Sequence, residues 1–191
     1  MGLLCLRTAK VGGLSCVANA VAIHNEMVRT TPELAAALYE DLPYDARGEQ
    51  RRGGKAYYTL PGFTEHAGRL FVRAIPAYIA ASQRHPDAPR LTDLQRAGLR
   101  RLVALANDPD MNVYMDLQPG EMQFITNFHV MHGRTAYEDD PANGYKRHFK
   151  RLWLATHRLT DRPPRFRTPT SDHWAEKRSV SRLAAVDRPT T

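Results

Sequence analysis

The chain has 191 residues, 42% hydrophobic and 25% charged, with a formal net charge of +7 and two cysteines. That length supports one domain with its own core, and the composition excludes disordered, collagenous and disulfide-stapled classes. No apolar run approaches bilayer length, and residues 1–6 are too short, with no basic stretch before them, for a secretory leader. A cytoplasmic protein that engages no membrane is therefore expected. Residues 156–191 hold eight Lys/Arg against four acidic residues. The rest is only mildly basic, so a nucleic-acid partner would have to bind through this tail, and the charge distribution argues against one.

Residues 3–6 form a continuous apolar run, the pattern of a buried strand. Lys10-Val11-Gly12-Gly13 turns it, and residues 15–18 read as its return strand. From Ala20 the spacing becomes helical, with Val21, Ile23, Met27 and Val28 on one side. Thr30-Thr31-Pro32-Glu33 then reads as a second helix start, proline in the first turn. Residues 45–55 are polar and glycine-bearing without periodicity, hence a loop or hairpin tip. Residues 57–63 and 69–74 read as strands joined by a His66-Ala67-Gly68 turn, and residues 78–82 open a short helix. Thr92 and Gln95 have capping-box spacing at the head of a longer helix through Ala106, with Leu94, Leu99, Leu102, Val103 and Leu105 on its apolar face.

Strands resume at Asn112. A Pro119-Gly120 turn separates the β-rich runs 112–118 and 121–130. The second run leads into His132, which is expected to end it, with Gly133 and Arg134 following. His129, three positions earlier, would fall on the opposite face of the same strand. After a polar loop comes a basic, aromatic strand in which Arg147 and Arg151 are an even interval apart and share a face. Imidazole is a common iron ligand, and guanidinium presents a planar fork that suits a carboxylate. Past residue 155 periodicity fades among prolines. The order of strands, inserted helices and strands again is α+β with antiparallel pairing. Cys5 and Cys16 lack any Cys-x-x-Cys spacing and read as free thiols.

Asn127-x-x-Val130-x-His132-Gly133-Arg134, followed by Arg147-His148-Phe149-x-Arg151-Leu152-Trp153, resembles the C-terminal signature of the taurine dioxygenase (TauD/TfdA-like) family. Those are iron(II)- and 2-oxoglutarate-dependent oxygenases. Gly12-Gly13-Leu14-Ser15 resembles the family's Gly-Gly-x-Thr/Ser segment, so the similarity covers residues 2–155. The resemblance implies a double-stranded β-helix, a jelly-roll-like core with helices packed outside. It implies Fe(II) bound through His132, with 2-oxoglutarate as co-substrate. The distal carboxylate of that co-substrate would be held by Arg147 and the Ser15 hydroxyl. Arg151 would meet either the acid group of a small-molecule substrate or the co-substrate, and Arg134 would support the site.

In the family the other two iron ligands form a His-x-Asp or His-x-Glu pair upstream of the first of these strands. Here only Met1 precedes that strand, so an N-terminally incomplete fold with impaired activity is expected. His24-Asn25-Glu26 mimics the pair but lies in a helical pattern after the Gly-Gly segment, where positions i and i+2 do not share a face. His85-Pro86-Asp87 lies in a loop between helices, too close to His132 in chain order. The expected organisation is a partial oxygenase domain over residues 1–155 and a basic, proline-containing, loosely ordered tail over residues 156–191. The expected function is a dioxygenase-type oxidoreductase hydroxylating a small organic molecule. The alternative is a non-catalytic remnant or binding module of the same fold.

Overall fold

Local side-chain chemistry sets where the helices of this chain begin. In the computed structural model, which describes residues 1–50, 52–154 and 162–166, the elements follow in chain order as β1 (Gly2–Arg7), β2 (Val11–Gly12), β3 (Ser15–Asn19), α1 (Ala20–Thr30), α2 (Pro32–Ala37), β4 (Asp41–Asp45), β5 (Tyr57–Pro61), β6 (Phe63–His66), β7 (Arg69–Val72), α3 (Pro76–Ser82), α4 (Asp93–Ala106), β8 (Asn112–Met115), β9 (Met122–Phe124), β10 (Val130–Arg134), β11 (Tyr137–Glu138) and β12 (His148–Leu152). Asn19 caps α1 by accepting from the Val21 and Ala22 N–H groups at 3.0 and 3.2 Å. Thr92 and Gln95 close the capping box expected at the head of α4. The α4 stripe differs from expectation at its start: Leu94 is 52% exposed, while Gln95, Gly98, Leu99, Leu102 and Leu105 are buried. Gly98 lies so close to the Leu34 carbonyl that a Cβ would meet it at 2.8 Å, which lets α4 pack tightly on α2.

The strands form two three-stranded antiparallel sheets, β12-β1-β9 and β10-β3-β8. The expectation that residues 15–18 return along the first strand is corrected here. β1 and β3 lie in the centres of different sheets, and the residues between them cross over, β2 pairing with β11. A sheet centre shared with strands far along the chain satisfies both edges of β1 and of β3, which a local hairpin would not. The β4–β5 and β6–β7 hairpins stand apart from these sheets. The described residues between Asp45 and Tyr57 form the tip of the first hairpin, as their composition suggested. The second turns at Ala67 and Gly68, both at positive φ (50° and 69°), as a two-residue hairpin turn of this hand requires.

The core lies between the helices and the two hairpins. Ile23, Met27, Leu38, Tyr44, Phe63 and Ile79 are all essentially inaccessible. Phe166 joins this cluster at 1% exposure, 5.3 Å from Phe128 and 6.3 Å from Phe71 between ring centroids. Arg165 reaches Asp41 at 2.6 Å. The reading of residues 156–191 as loosely ordered is therefore corrected at 162–166. One aromatic ring can dock a segment whose average hydropathy is low, and averaged hydropathy hides it. The rest of that tail, 155–161 and 167–191, lies outside the described residues. Among the described residues, no helix is long and apolar enough to cross a membrane, and both cysteines are free.

Candidate active site

The run from 121 to 130 is not one strand. β9 ends at Phe124, a turn occupies residues 127–129, and β10 starts afresh at Val130. His132 therefore sits in the middle of a strand rather than at its end. His129 belongs to the turn and not to the opposite strand face; it packs 5.2 Å from the Phe71 ring, with its Nε2 buried and unpaired. Strand pairing fixes the direction of the His132 side chain. His132 is opposite Val17 of β3, which is opposite Val113 of β8, and the adjacent row on the same face is Arg134, Ser15 and Met115. Gln123 of the other sheet donates to Met115 Sδ at 3.7 Å, so this face looks across at β12-β1-β9. Ser15 is buried at 4% exposure. A cavity of about 490 Å³ opens along the same sheet, lined by Val17, Asn19, Val113, His129 and Val130.

Across the gap stand the two arginines. Arg147 lies one residue before β12, where the β1–β12 register shifts between Cys5 and Arg7. Its backbone N–H donates to Asp139 Oδ1 at 2.9 Å, and its Nη2 donates to the Gly13 carbonyl at 3.3 Å. Its Cζ lies 4.0 Å from the Phe149 ring centroid and 5.5 Å from that of Tyr137. Arg151, four residues further, has its Cζ 5.6 Å from the Trp153 ring centroid and is exposed. Arg151 is opposite Leu3 across the β1–β12 ladder. Arg147 is half-buried and Arg151 reaches the surface.

Gly12 and Gly13 are required by geometry. Both have positive φ, 70° and 76°, which disfavours any side chain. A Cβ on Gly12 would run into the Ala136 carbonyl, and one on Gly13 would come within 2.9 Å of Arg147 Nε. The Gly-Gly segment is therefore the floor on which the Arg147 guanidinium rests.

The local electrostatics favour an anionic guest. Burial first, and then the neighbouring Arg134 charge, hold Arg147 below the ordinary arginine value. Burial, Arg151 and the N-terminal ammonium together keep His132 below the usual imidazole range, although part of its surface is exposed. His132 is thus neutral near pH 7, with a lone pair to offer. Burial raises the Cys5 thiol, partly offset by Arg147, so Cys5 is a protonated neighbour and not a counter-ion. Among the described residues no carboxylate pairs with the Arg147 guanidinium.

The fit to iron fails within what is described. A 2-His-1-carboxylate site needs three converging ligands, and no group of three or more His, Cys, Asp or Glu that could hold a metal occurs among the described residues. Neither local mimic makes up the deficit. His24 bonds Asn25 and Tyr39, and Glu26 is paired with Arg29. His85 is bound to the buried Asp45 at 3.0 Å.

The structure thus places His132, Ser15 and Arg134 on one face of β10-β3-β8, sets Arg134 and Arg147 against the same Tyr137 ring, and leaves Arg151 at the surface. Sequence reasoning missed Tyr137 and Phe149, the rings that flank Arg147. Phe149 carried a usable signal, since i and i+2 share a strand face; Tyr137 sits in a polar loop and carried none.

A sequence model of a family described as taurine catabolism dioxygenase TauD, TfdA family matches residues 1–153. FR-33289 synthase of Streptomyces rubellomurinus is 33% identical over 154 residues, covering 80% of this chain and 45% of that protein. A uridine-5'-phosphate dioxygenase of a Streptomyces species is 28% identical over 148 residues, covering 73% of this chain and 50% of that protein. Among solved structures, an asparagine oxygenase in complex with Fe(II), 2S,3S-3-hydroxyasparagine and succinate superposes with a TM-score of 0.55 at 20% identity, covering 78% of this chain and 42% of that one. This last likeness shows the fold, the jelly-roll type with flanking helices. The chain spans half or less of the length of the relatives it matches.

Proposed function

This chain belongs to the TauD, TfdA family of dioxygenases, and from that premise we propose that it carries the co-substrate half of an iron(II)- and 2-oxoglutarate-dependent oxygenase. In this reading Arg147 binds the distal carboxylate of 2-oxoglutarate, Ser15 donates its hydroxyl to the same group, and Arg151 meets the substrate's acid group or the inner end of the co-substrate. Among the described residues, His132 is the iron ligand of this reading. The reaction class is hydroxylation of a small organic molecule in the cytoplasm.

The observation that carries the reading is the Arg147 setting. A half-buried guanidinium with no carboxylate partner among the described residues sits on a glycine floor between two rings, beside the face that bears His132 and Ser15. Desolvating a guanidinium is unfavourable unless a charge-assisted bond replaces water. A carboxylate guest supplies it.

The second reading, a non-catalytic remnant or binding module of the same fold, is favoured by one observation: the described residues assemble no three-ligand metal site. Two measurements on the 191-residue protein separate the readings. Titration calorimetry with 2-oxoglutarate should show binding that Arg147→Ala weakens by roughly 2–5 kcal/mol, the range for orphaning one member of a buried charged pair. Unchanged affinity in that variant removes the assignment. Succinate release with iron(II), ascorbate and 2-oxoglutarate, lost in His132→Ala, supports an enzyme. Binding without succinate supports the module.

A further inference from the structure

The setting of Arg147 is built largely by a segment outside its own strand. β11 pairs with β2 through only two residue pairs, Tyr137 with Gly12 and Glu138 with Val11. The ladder is extended by Lys10 N–H to Glu138 O at 2.9 Å and Gly13 N–H to Ala136 O at 3.0 Å, and fastened by the Lys10–Asp140 ion pair at 3.0 Å. All four strand residues are exposed, so this small ladder adds little to the core. Its effect is to hold one ring. Arg134 Cζ lies 4.3 Å from the Tyr137 centroid and Arg147 Cζ 5.5 Å from it. Phe149 completes the enclosure of Arg147 at 4.0 Å.

One ring contacted by two guanidiniums has a mechanical consequence. The quadrupole of an aromatic face attracts cations, so it keeps both groups near it against their mutual repulsion. Arg147, half-buried, is thereby held beside the ring, while the exposed Arg134 also donates to the Thr135 carbonyl. An arginine fixed before its ligand arrives loses less entropy on binding.

We propose that Tyr137 is the positioning residue of the carboxylate site, its ring setting Arg147 in place and holding Arg134 beside it. This rests on the reading of Arg147 as the 2-oxoglutarate arginine. In this proposal Tyr137 acts through the guanidinium, and the ring face does the work, not the hydroxyl.

The test is the dissociation constant of 2-oxoglutarate for the whole 191-residue chain, with thermal melting as a control on folding. Tyr137→Phe keeps the ring and should bind within about twofold of the parent. Tyr137→Leu should bind about three- to fivefold more weakly, within the range of one lost exposed cation–π contact. Pentafluorophenylalanine at position 137 keeps the shape, inverts the face potential, and should show the same loss with an unchanged melt. In an Arg147→Ala background Tyr137→Leu should have no further effect, because residues acting through one group are not additive. Equal losses with and without Arg147, or full affinity with the fluorinated ring, would overturn the inference while leaving the co-substrate reading intact. Failure of the parent chain to bind 2-oxoglutarate at millimolar concentration overturns both.

Discussion

Replacing Gly13 by alanine isolates the close fit between the Gly-Gly segment and Arg147. Gly13 has φ 76°, a conformation that costs an alanine about 1 kcal/mol relative to glycine. The added Cβ would lie 2.9 Å from Arg147 Nε, 3.1 Å from its Cδ and 3.3 Å from Tyr137 Cβ. The arginine can yield, so the clash itself adds little, but moving it disturbs the Phe149 and Tyr137 contacts, each worth about 0.5–1 kcal/mol. The expected loss is about 2–3 kcal/mol, or roughly 4–12 °C in melting midpoint for a chain of this size.

Gly68→Ala is the matched control. Its φ is 69° and a Cβ there meets nothing within 4 Å, so it carries the backbone penalty alone, about 1 kcal/mol. Differential scanning calorimetry of both variants, with 2-oxoglutarate titration, separates the two contributions. Gly13→Ala should melt lower than Gly68→Ala and alone should lose affinity. Identical melts together with unchanged affinity in Gly13→Ala would refute the argument that the glycine exists to seat the guanidinium.

Phe166→Ala should destabilise by roughly 2–4 kcal/mol in urea denaturation, near the low end of buried Phe→Ala changes because the segment that carries it is short; deletion from residue 162 onward should cost more than deletion of residues 169–191. Asp45, 1% exposed, accepts from the Arg47 N–H, is hydrogen-bonded to His85 and forms an ion pair with Arg84. Burial alone would raise its pKa, but these partners outweigh it and hold the carboxyl below the ordinary range. A depressed folded pKa contributes stability present above the unfolded value and lost as pH falls through the folded one. The stability gap between the parent and Asp45→Asn should therefore be full at pH 7 and shrink below about pH 4, as urea midpoints at pH 7 and 3 would report; a gap that stayed constant would contradict it. Thr92→Ala should cost about 1 kcal/mol by removing the α4 cap, read from the same denaturation curves.

Much of this protein is written locally. The capping box at Thr92 and Gln95, the polar tip at residues 45–55 and the Ala67-Gly68 turn were legible because each depends on neighbours within four residues or on a backbone angle that few residues tolerate. His132, Arg147 and Ser15 were proposed for a different reason, the resemblance of three short segments to one family. Nothing in their individual chemistry would have singled them out.

Tertiary structure decided the rest, because it depends on pairs distant in sequence. β1 meets β12 nearly 150 positions later and not the adjacent β3, since hydrogen-bond partners for a central strand are chosen by the whole sheet and not by loop length. Phe166 enters the core from a hydrophilic stretch, because burial is settled by whether a single ring finds a complementary site. Tyr137, in a loop with no hydrophobic period, comes to lie between two guanidiniums only because a two-pair ladder closes across the glycines at 12 and 13. The residue types that can bind a carboxylate are a property of the sequence; the glycine floor and the aromatic walls around Arg147 are a property of the fold.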